Sequence, residues 1–379
     1  MKTIKFSVVA AAALALSSSA FAADGLTAYG QISGEVGSYF NSVKNGNLLG
    51  THSYASRFGL KGAADVGGGL TAVYQVEVGF NPVNGDLQLG AKSGDVDNEL
   101  TNSGGNGLPN HGDALSGRNT FVGIAGGFGT FVIGNHDTPY KIAARGSGAI
   151  TSADTVADLH LQTDRRLRGA VAYIAPADAL GGTTLAVALV PVTGPKKGVA
   201  TDTSTGFHYS IGAVIPVEDI GLKIGLGYES AYATLYDDRV NSLFAAASIK
   251  LDTISVGLAV ESVTQGDDIG GPNAGKDHGT TTVLIPFSIG LDDGLYVNAG
   301  VKYTLFDKLG AAATANSIGT EDPDENILQV SAAFGKKWAS NLDAYAGLKL
   351  TQAKNEVIGT GADQKKSATE LGVGLKVAF

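Results

Sequence analysis

The stretch LTAYGQISGEVGSYF, residues 26–40, separates by parity into two lists. Even positions hold Leu26, Ala28, Gly30, Ile32, Gly34, Val36, Ser38 and Phe40; odd positions hold Thr27, Tyr29, Gln31, Ser33, Glu35, Gly37 and Tyr39. An extended chain turns successive side chains to opposite sides, so the stretch reads as a strand with one apolar and one polar face. The same division recurs as Leu222, Ile224, Leu226 and Tyr228 against Lys223 and Glu229, and as Val297, Ala299 and Val301 against Asn298 and Lys302. It recurs again as Leu342, Ala344, Ala346, Leu348 and Leu350 against Asp343 and Lys349. No charge falls on the apolar face of any of these strands.

Carried along the chain, the pattern predicts strands near residues 26–40, 55–65, 70–80, 118–125, 129–135, 166–174, 183–190 and 207–215. Eight more follow near 220–229, 242–251, 253–262, 280–289, 294–304, 326–334, 342–351 and 368–379. The total is even, as closed single-chain bacterial barrels usually require. Short turns at 65–69, 125–129, 216–220 and 251–253 follow even-numbered strands, whereas long polar loops such as 81–117 follow odd-numbered ones. Short turns at one rim and long loops at the other are the habit of membrane barrels. A soluble sandwich or barrel would also alternate, but this many strands exceed what an open sheet sustains. Phe40, Phe58, Phe80, Tyr173, Phe207, Tyr228, Tyr303 and Phe379 stand near strand ends, where an interfacial aromatic girdle belongs. The expected fold is all-β, a transmembrane antiparallel β-barrel of about 16 strands. In a closed barrel the last strand pairs with the first, which explains a chain that ends on an apolar aromatic, Phe379, at the lipid side of the rim.

Composition removes several function classes. Residues 1–22, MKTIKFSVVAAAALALSSSAFA, join Lys2 and Lys5 to an apolar run and to Ala20 and Ala22, which reads as a signal peptide cut before Ala23. Residues 23–379 then form a single barrel domain. Of 27 Lys and Arg, removal of these two leaves 25 against 36 Asp and Glu, a net charge of −11, which argues against a nucleic-acid partner. With 0 Cys there is no disulfide scaffold, thiolate metal site or Cys nucleophile. No later stretch approaches the apolar length of a transmembrane helix. Neither G-x-S-x-G, H-E-x-x-H nor a P-loop occurs. His52, His111, His136, His160, His208 and His278 lack metal-ligand spacing and read as surface residues, so no metal or cofactor is expected. An enzyme assembled from distant loops is the minor alternative. A barrel with a filled lumen would want bulky apolar inward residues, whereas this inward face is Thr, Ser, Gln, Gly and charge.

SRFGLKGAADVGGGLTAVYQVEVGFN at 56–81, GRNTFVGIAGGFGTFVIGNHDTPY at 117–140 and the terminal LGVGLKVAF resemble the general porins of Gram-negative outer membranes, of the proteobacterial sixteen-stranded type. The resemblance implies a water-filled outer-membrane channel for passive diffusion of small hydrophilic solutes and ions. It further implies a homotrimer within outer-membrane lipid and lipopolysaccharide, and a terminal strand that the barrel assembly machinery recognises through Phe379. A third loop, near 135–164, would fold into the lumen as a constriction. DRRLRGAVAY at 164–173 departs from the family, whose sixth strand often carries an Asn-Ser pair before an aromatic. Parity turns Arg57 and Lys61 inward on the second strand and Arg166 and Arg168 inward on the sixth, with Arg118 opening the fourth. The folded-in loop would set Asp137, Asp154, Asp158 and Asp164 against them. With a turn centred near Gly67, Arg57 is expected to pair across its hairpin with Glu77, while Arg166 and Arg168 have no obvious carboxylate on a neighbouring strand. Acids of the outer loops, such as Asp95, Asp97, Glu99, Asp322, Asp324 and Glu325, are screened within a Debye length. The expectation is therefore a weak anion preference, with a substrate-selective channel of the same architecture as the alternative.

Overall fold

In the computed structural model the chain closes on itself through 16 strands taken in sequence order. These are β1 (Leu26–Tyr39), β2 (Arg57–Gly67), β3 (Leu70–Phe80), β4 (Leu115–Gly126), β5 (Gly129–Asp137), β6 (Arg166–Ile174), β7 (Thr184–Lys196) and β8 (Val199–Val217). They continue as β9 (Leu222–Tyr232), β10 (Arg239–Leu251), β11 (Ile254–Gln265), β12 (His278–Gly290), β13 (Leu295–Asp307), β14 (Asn326–Ala339), β15 (Leu342–Lys354) and β16 (Ser367–Ala378). The structure describes residues 22–23, 25–39, 48–83, 115–196, 199–232, 239–265, 278–307, 326–354 and 367–379. Residues 1–21 of the predicted signal peptide, Phe40 and the six outer-loop acids named above lie outside the described residues.

Each strand runs antiparallel to the next, and β16 returns to β1 in the register Val377↔Ile32, Leu375↔Gly34 and Val373↔Val36. Closure satisfies both edges of every barrel strand, the condition for a sheet in hydrocarbon. The expected strand set is present, with two departures. The β7–β8 ribbon continues through Thr193↔Thr205 and Ser204↔Gly194, beyond the predicted ends at 190 and 207. Gly194 and Pro195 read as loop, yet ribbon pairing needs only backbone. In addition, Leu48–His52 folds back along Glu35–Tyr39, so β2 pairs only with Leu26–Gln31. Serines tie that crossing: Ser33 N–H donates to Ser56 Oγ at 2.9 Å, and Tyr54 N–H donates to Ser33 Oγ at 2.9 Å.

The two faces separate as the alternation requires. Leu60, Val76, Val122, Ile133, Leu189, Leu243 and Val373 are exposed on the outer face, while Gln75, Glu77, Ser210, Glu229, Ser242, Glu261 and Thr282 are buried on the inner one. An apolar band of this extent belongs in hydrocarbon rather than water. Among the described residues no helix is long and apolar enough to cross a membrane; the strands cross instead. Aromatic rings group at both rims. Phe131 lies 5.9 Å from Phe128 and 4.8 Å from Tyr173 at the short-turn end, and Phe58 lies 6.0 Å from Phe80 at the other. The terminal Phe379 exchanges backbone hydrogen bonds with Gly30, at 2.8 and 3.0 Å, and its exposed ring covers that glycine, where a Cβ would collide with it.

Candidate functional site

Between β5 and β6 the chain turns into the barrel. Thr138 caps helix α1 (Pro139–Gly146): its side chain accepts from Lys141 N–H at 3.1 Å, and Pro139 supplies a preset φ in the first turn. Tyr140, Ala143 and Ala144 from the helix join Ala149, Leu159 and Leu161 from the returning arm. Together they bury against Phe244 and Ala246 of β10, Ala259 of β11 and Leu284 of β12. Tyr140 meets Phe244 edge-on at 4.7 Å. A bridge between Ile150 and His160 holds the two arms antiparallel, and the tip near 152–157 reaches β1, β15 and β16 on the far side. The loop is therefore docked through an apolar core of its own.

Three inward glutamates secure it. Glu261 accepts from Tyr140 O–H at 2.7 Å and from the backbone N–H of Gln162 and Thr163 at 2.6 and 2.9 Å. Glu35 accepts from Val156 N–H at 3.1 Å, and Glu229 lies 3.7 Å from Arg165 Nη1. A buried carboxylate is costly unless it is paired; Glu261 and Glu35 are held by the donors above, whereas Glu229 rests on its ion pair with Arg165. Glycines clear the path: a Cβ at Gly212, Gly225, Gly300 or Gly347 would run into Pro139, Ser147, Thr151 or Val156. These latch and corridor residues escape a reading by spacing. Their only sequence signal is a lone carboxylate or glycine on the wet face of an otherwise alternating strand.

The loop packs along the wall from β8 round to β1, and on the opposite wall Arg57, Lys61, Val73, Arg118 and Phe121 stay partly exposed. There Arg118 Nε donates to Glu77 Oε1 at 2.7 Å, and Arg57 Nε lies 3.7 Å from Glu77 Oε2. The expected Arg57–Glu77 pair exists, but diagonally. The turn is shifted by the irregularity at Asp65–Gly67, so Glu77 stands opposite Gly59 and Arg57 opposite Gly79. Across the lumen Arg57 Nη1 lies 3.8 Å from Asp154 Oδ2, at the loop tip. Lys61 sits lower, its Nζ 4.9 Å from the centre of the Tyr29 ring.

The remaining expected residues are placed differently. Asp137 belongs to β5, not to the opposing loop, and binds Arg166 Nε at 3.0 Å and Lys141 Nζ at 3.1 Å. Arg166 thus has the neighbouring-strand carboxylate that alternation fails to reveal. The reason is a bulge. Gly134 pairs with Ala170 but His136 with Leu167, so Arg168 and Gly169 face the single Asn135, with Gly169 left-handed at φ +66. The extra residue reverses parity, and Leu167 packs inward with Ala170 and Val190 while Arg168 is exposed in the bulge. A second bulge, between Val76↔Thr120 and Val78↔Gly117, lets Arg118 reach Glu77 while Asn119 reaches Asp137 at 3.0 Å. His52 and His136 are buried rather than superficial, because the fold-back strand and the reversed parity enclose them. His111 and the side chain of His278 lie outside the described residues.

Asp164 turns toward its own loop, with Lys141 Nζ at 3.0 Å and Arg145 Nη2 at 2.7 Å. Burial opposes its ionisation, but these two cations prevail and hold the carboxyl well below the usual range. Asp158 accepts from Asp154 N–H at 3.3 Å; burial first, and the Asp154 charge beside it, push its carboxyl up. Arg145 is the lumen-facing cation that strand parity does not supply, because a helix folded inside the barrel displays it. Among the described residues no cluster of His, Asp or Glu suits a metal ion.

A family model described as Gram-negative porin matches residues 9–356. A comparison with curated proteins gives no match. Among solved structures, the anion-selective porin from Comamonas acidovorans is 17% identical, with a TM-score of 0.66 over 93% of this chain and 99% of that one. The in-vitro folded trimer form of OmpT from Vibrio cholerae is 14% identical, with a TM-score of 0.59 over 93% and 99%. OmpF of Salmonella typhi in complex with daunomycin is 13% identical, with a TM-score of 0.58 over 93% and 97%. At these identities the structures speak for the fold, and the matched family model carries the assignment. A closed barrel, apolar outside, wet inside and narrowed by an inserted loop, is a passive diffusion channel of the outer membrane, and the chain belongs to the Gram-negative porin family.

Proposed function

We propose that the channel carries small hydrophilic solutes and ions with a modest preference for anions. One observation supports the reading: in the arginine ion pairs at the constriction the guanidinium is the more exposed partner, whereas Lys141 is buried behind Asp137 and Asp164. Side-chain exposure is 26% for Arg57 and 17% for Arg118 against 6% for Glu77, 37% for Arg145 against 11% for Asp164, and 24% for Arg165 against 1% for Glu229. A permeating ion therefore meets guanidinium groups, with the acids behind them, where the path is narrow and screening weak. Asp154, Asp158 and Asp137 limit the size of the effect. The anion selectivity named for the Comamonas acidovorans neighbour agrees with this reading. The trimer form of the Vibrio cholerae neighbour supports a homotrimer; we further propose that it sits in outer-membrane lipid and lipopolysaccharide and is delivered by the barrel assembly machinery through Phe379. No enzymatic step is assigned to the chain.

Bilayer recordings under a salt gradient test the preference. The zero-current potential of the wild type should report anions, and the double variant Arg57→Gln, Arg145→Gln should move it toward cations. Arg168→Gln, outside the inward row, should move it less. A potential unchanged in the double variant would refute the assignment.

A further inference from the structure

Below the arginines the lumen wall changes character. Val73↔Gly123, Gly123↔Val132, Val132↔Ala172 and Ala172↔Ala188 form one register row across β3 to β7. Every member is apolar or glycine. Val132, Ala172 and Ala188 are buried together, with Val73 and Phe121 packed on them and still partly open. Gly123 makes room for this, since a Cβ there would lie 2.7 Å from Val132 Cγ1. Phe121 stands opposite Gln75, one inward position below Glu77 and its Arg118 partner, a drop of roughly 7 Å. Lys61, opposite Gln75 on the other side, brings a further cation to the edge of the strip. The docked loop covers the wall beyond β7, because Ser210, opposite Ala188, accepts from Tyr140 N–H at 3.0 Å. Phe121 and Val73 are thus the open apolar surface beside the free part of the lumen.

Resting on the porin reading above, we propose that this strip and the cations over it form a transit subsite for small organic monocarboxylates with an apolar tail. The charges fix the polarity of the solute. A carboxylate at Arg57 and Arg118 leaves a tail of a few carbons within reach of Phe121 and Val73. Each methylene removed from water there gains about 0.8 kcal/mol at most, and aromatic contact adds to it. A hydroxylated tail gains nothing from the strip and loses hydration against it. Chloride, which has no tail, uses only the arginines.

Hexanoate and gluconate have equal carbon counts and one carboxylate each, and differ in the tail. Their permeabilities relative to chloride are read from bi-ionic zero-current potentials, at alkaline pH where both are ionised and after subtraction of protein-free bilayers. The wild type should favour hexanoate beyond the ratio of the two mobilities in water. Val73→Thr, nearly isosteric, and Phe121→Asn should each lower that preference about threefold while chloride conductance persists. A wild-type ratio equal to the aqueous mobility ratio overturns the subsite, as does a ratio unchanged in both variants. Absence of chloride current in the wild type would instead defeat the channel reading itself, so the two failures are distinct.

Discussion

Asp158 and Asp164 share one short loop, yet their surroundings push them in opposite directions. Asp164, between Lys141 and Arg145, has a depressed pKa. Its contribution to loop stability is fully present above the ordinary value near about 3.9 and is lost only as pH falls through the lower folded value. Asp158 is raised by burial and by Asp154, with His160 and Arg145 opposing. Its neutral form therefore appears at a higher pH than that of an ordinary aspartate. Protonation removes one negative charge from the lumen, so the zero-current potential should drift further toward anions as pH falls toward the ordinary aspartate value of about 3.9, beginning before that value is reached. To hold His160 constant, the titration is recorded in a His160→Asn background, with and without Asp158→Asn. Loss of the drift on adding Asp158→Asn is the expected result; an identical drift in both would assign it to another group.

At the scale of elements, the inserted loop behaves as a small packed domain rather than a tether, because it has its own buried cluster and three carboxylate latches. Glu261→Leu leaves Tyr140 O–H and the N–H groups of Gln162 and Thr163 without their acceptor, a loss on the order of 3 kcal/mol or more. The expected readout is larger conductance and noisier open channels, with Glu261→Gln intermediate since its amide oxygen still accepts. Quiet channels of wild-type conductance in Glu261→Leu would show that the apolar cluster alone suffices. The same loop explains what the sequence does and does not reveal. Period-two alternation exposes every barrel strand, because one face must meet lipid and the other water. A bulge adds one residue and reverses the alternation, so Arg166 and Arg168 read as inward when Leu167 is. Loop docking joins residues far apart in the chain, such as Glu35 with Val156, and no local period encodes that.

The whole molecule depends on closure, and closure ends at one residue. Of the seam between β16 and β1, the last pair of backbone hydrogen bonds joins Phe379 to Gly30, and the Phe379 ring shields that glycine on the outer face. Deleting Phe379 removes two hydrogen bonds that lipid cannot replace, together with an aromatic anchor at the interface, a loss of about 2 to 5 kcal/mol. Most of the seam survives, so the variant should still form a barrel, but less of it and less resistant to heat. Closed barrels keep a compact or oligomeric mobility in unheated detergent gels and shift on boiling, which gives the folded fraction directly. For Phe379 deletion that fraction should fall severalfold in outer membranes and more mildly after refolding of purified chain in detergent. The difference between the two settings would isolate the proposed recognition by the assembly machinery from the stability of the seam itself. Phe379→Leu, which keeps the backbone bonds and loses the ring, should recover most of the refolded fraction in detergent and less of that in membranes. Equal losses for the deletion and for a turn change such as Asp252→Asn would remove any special role for the terminal residue.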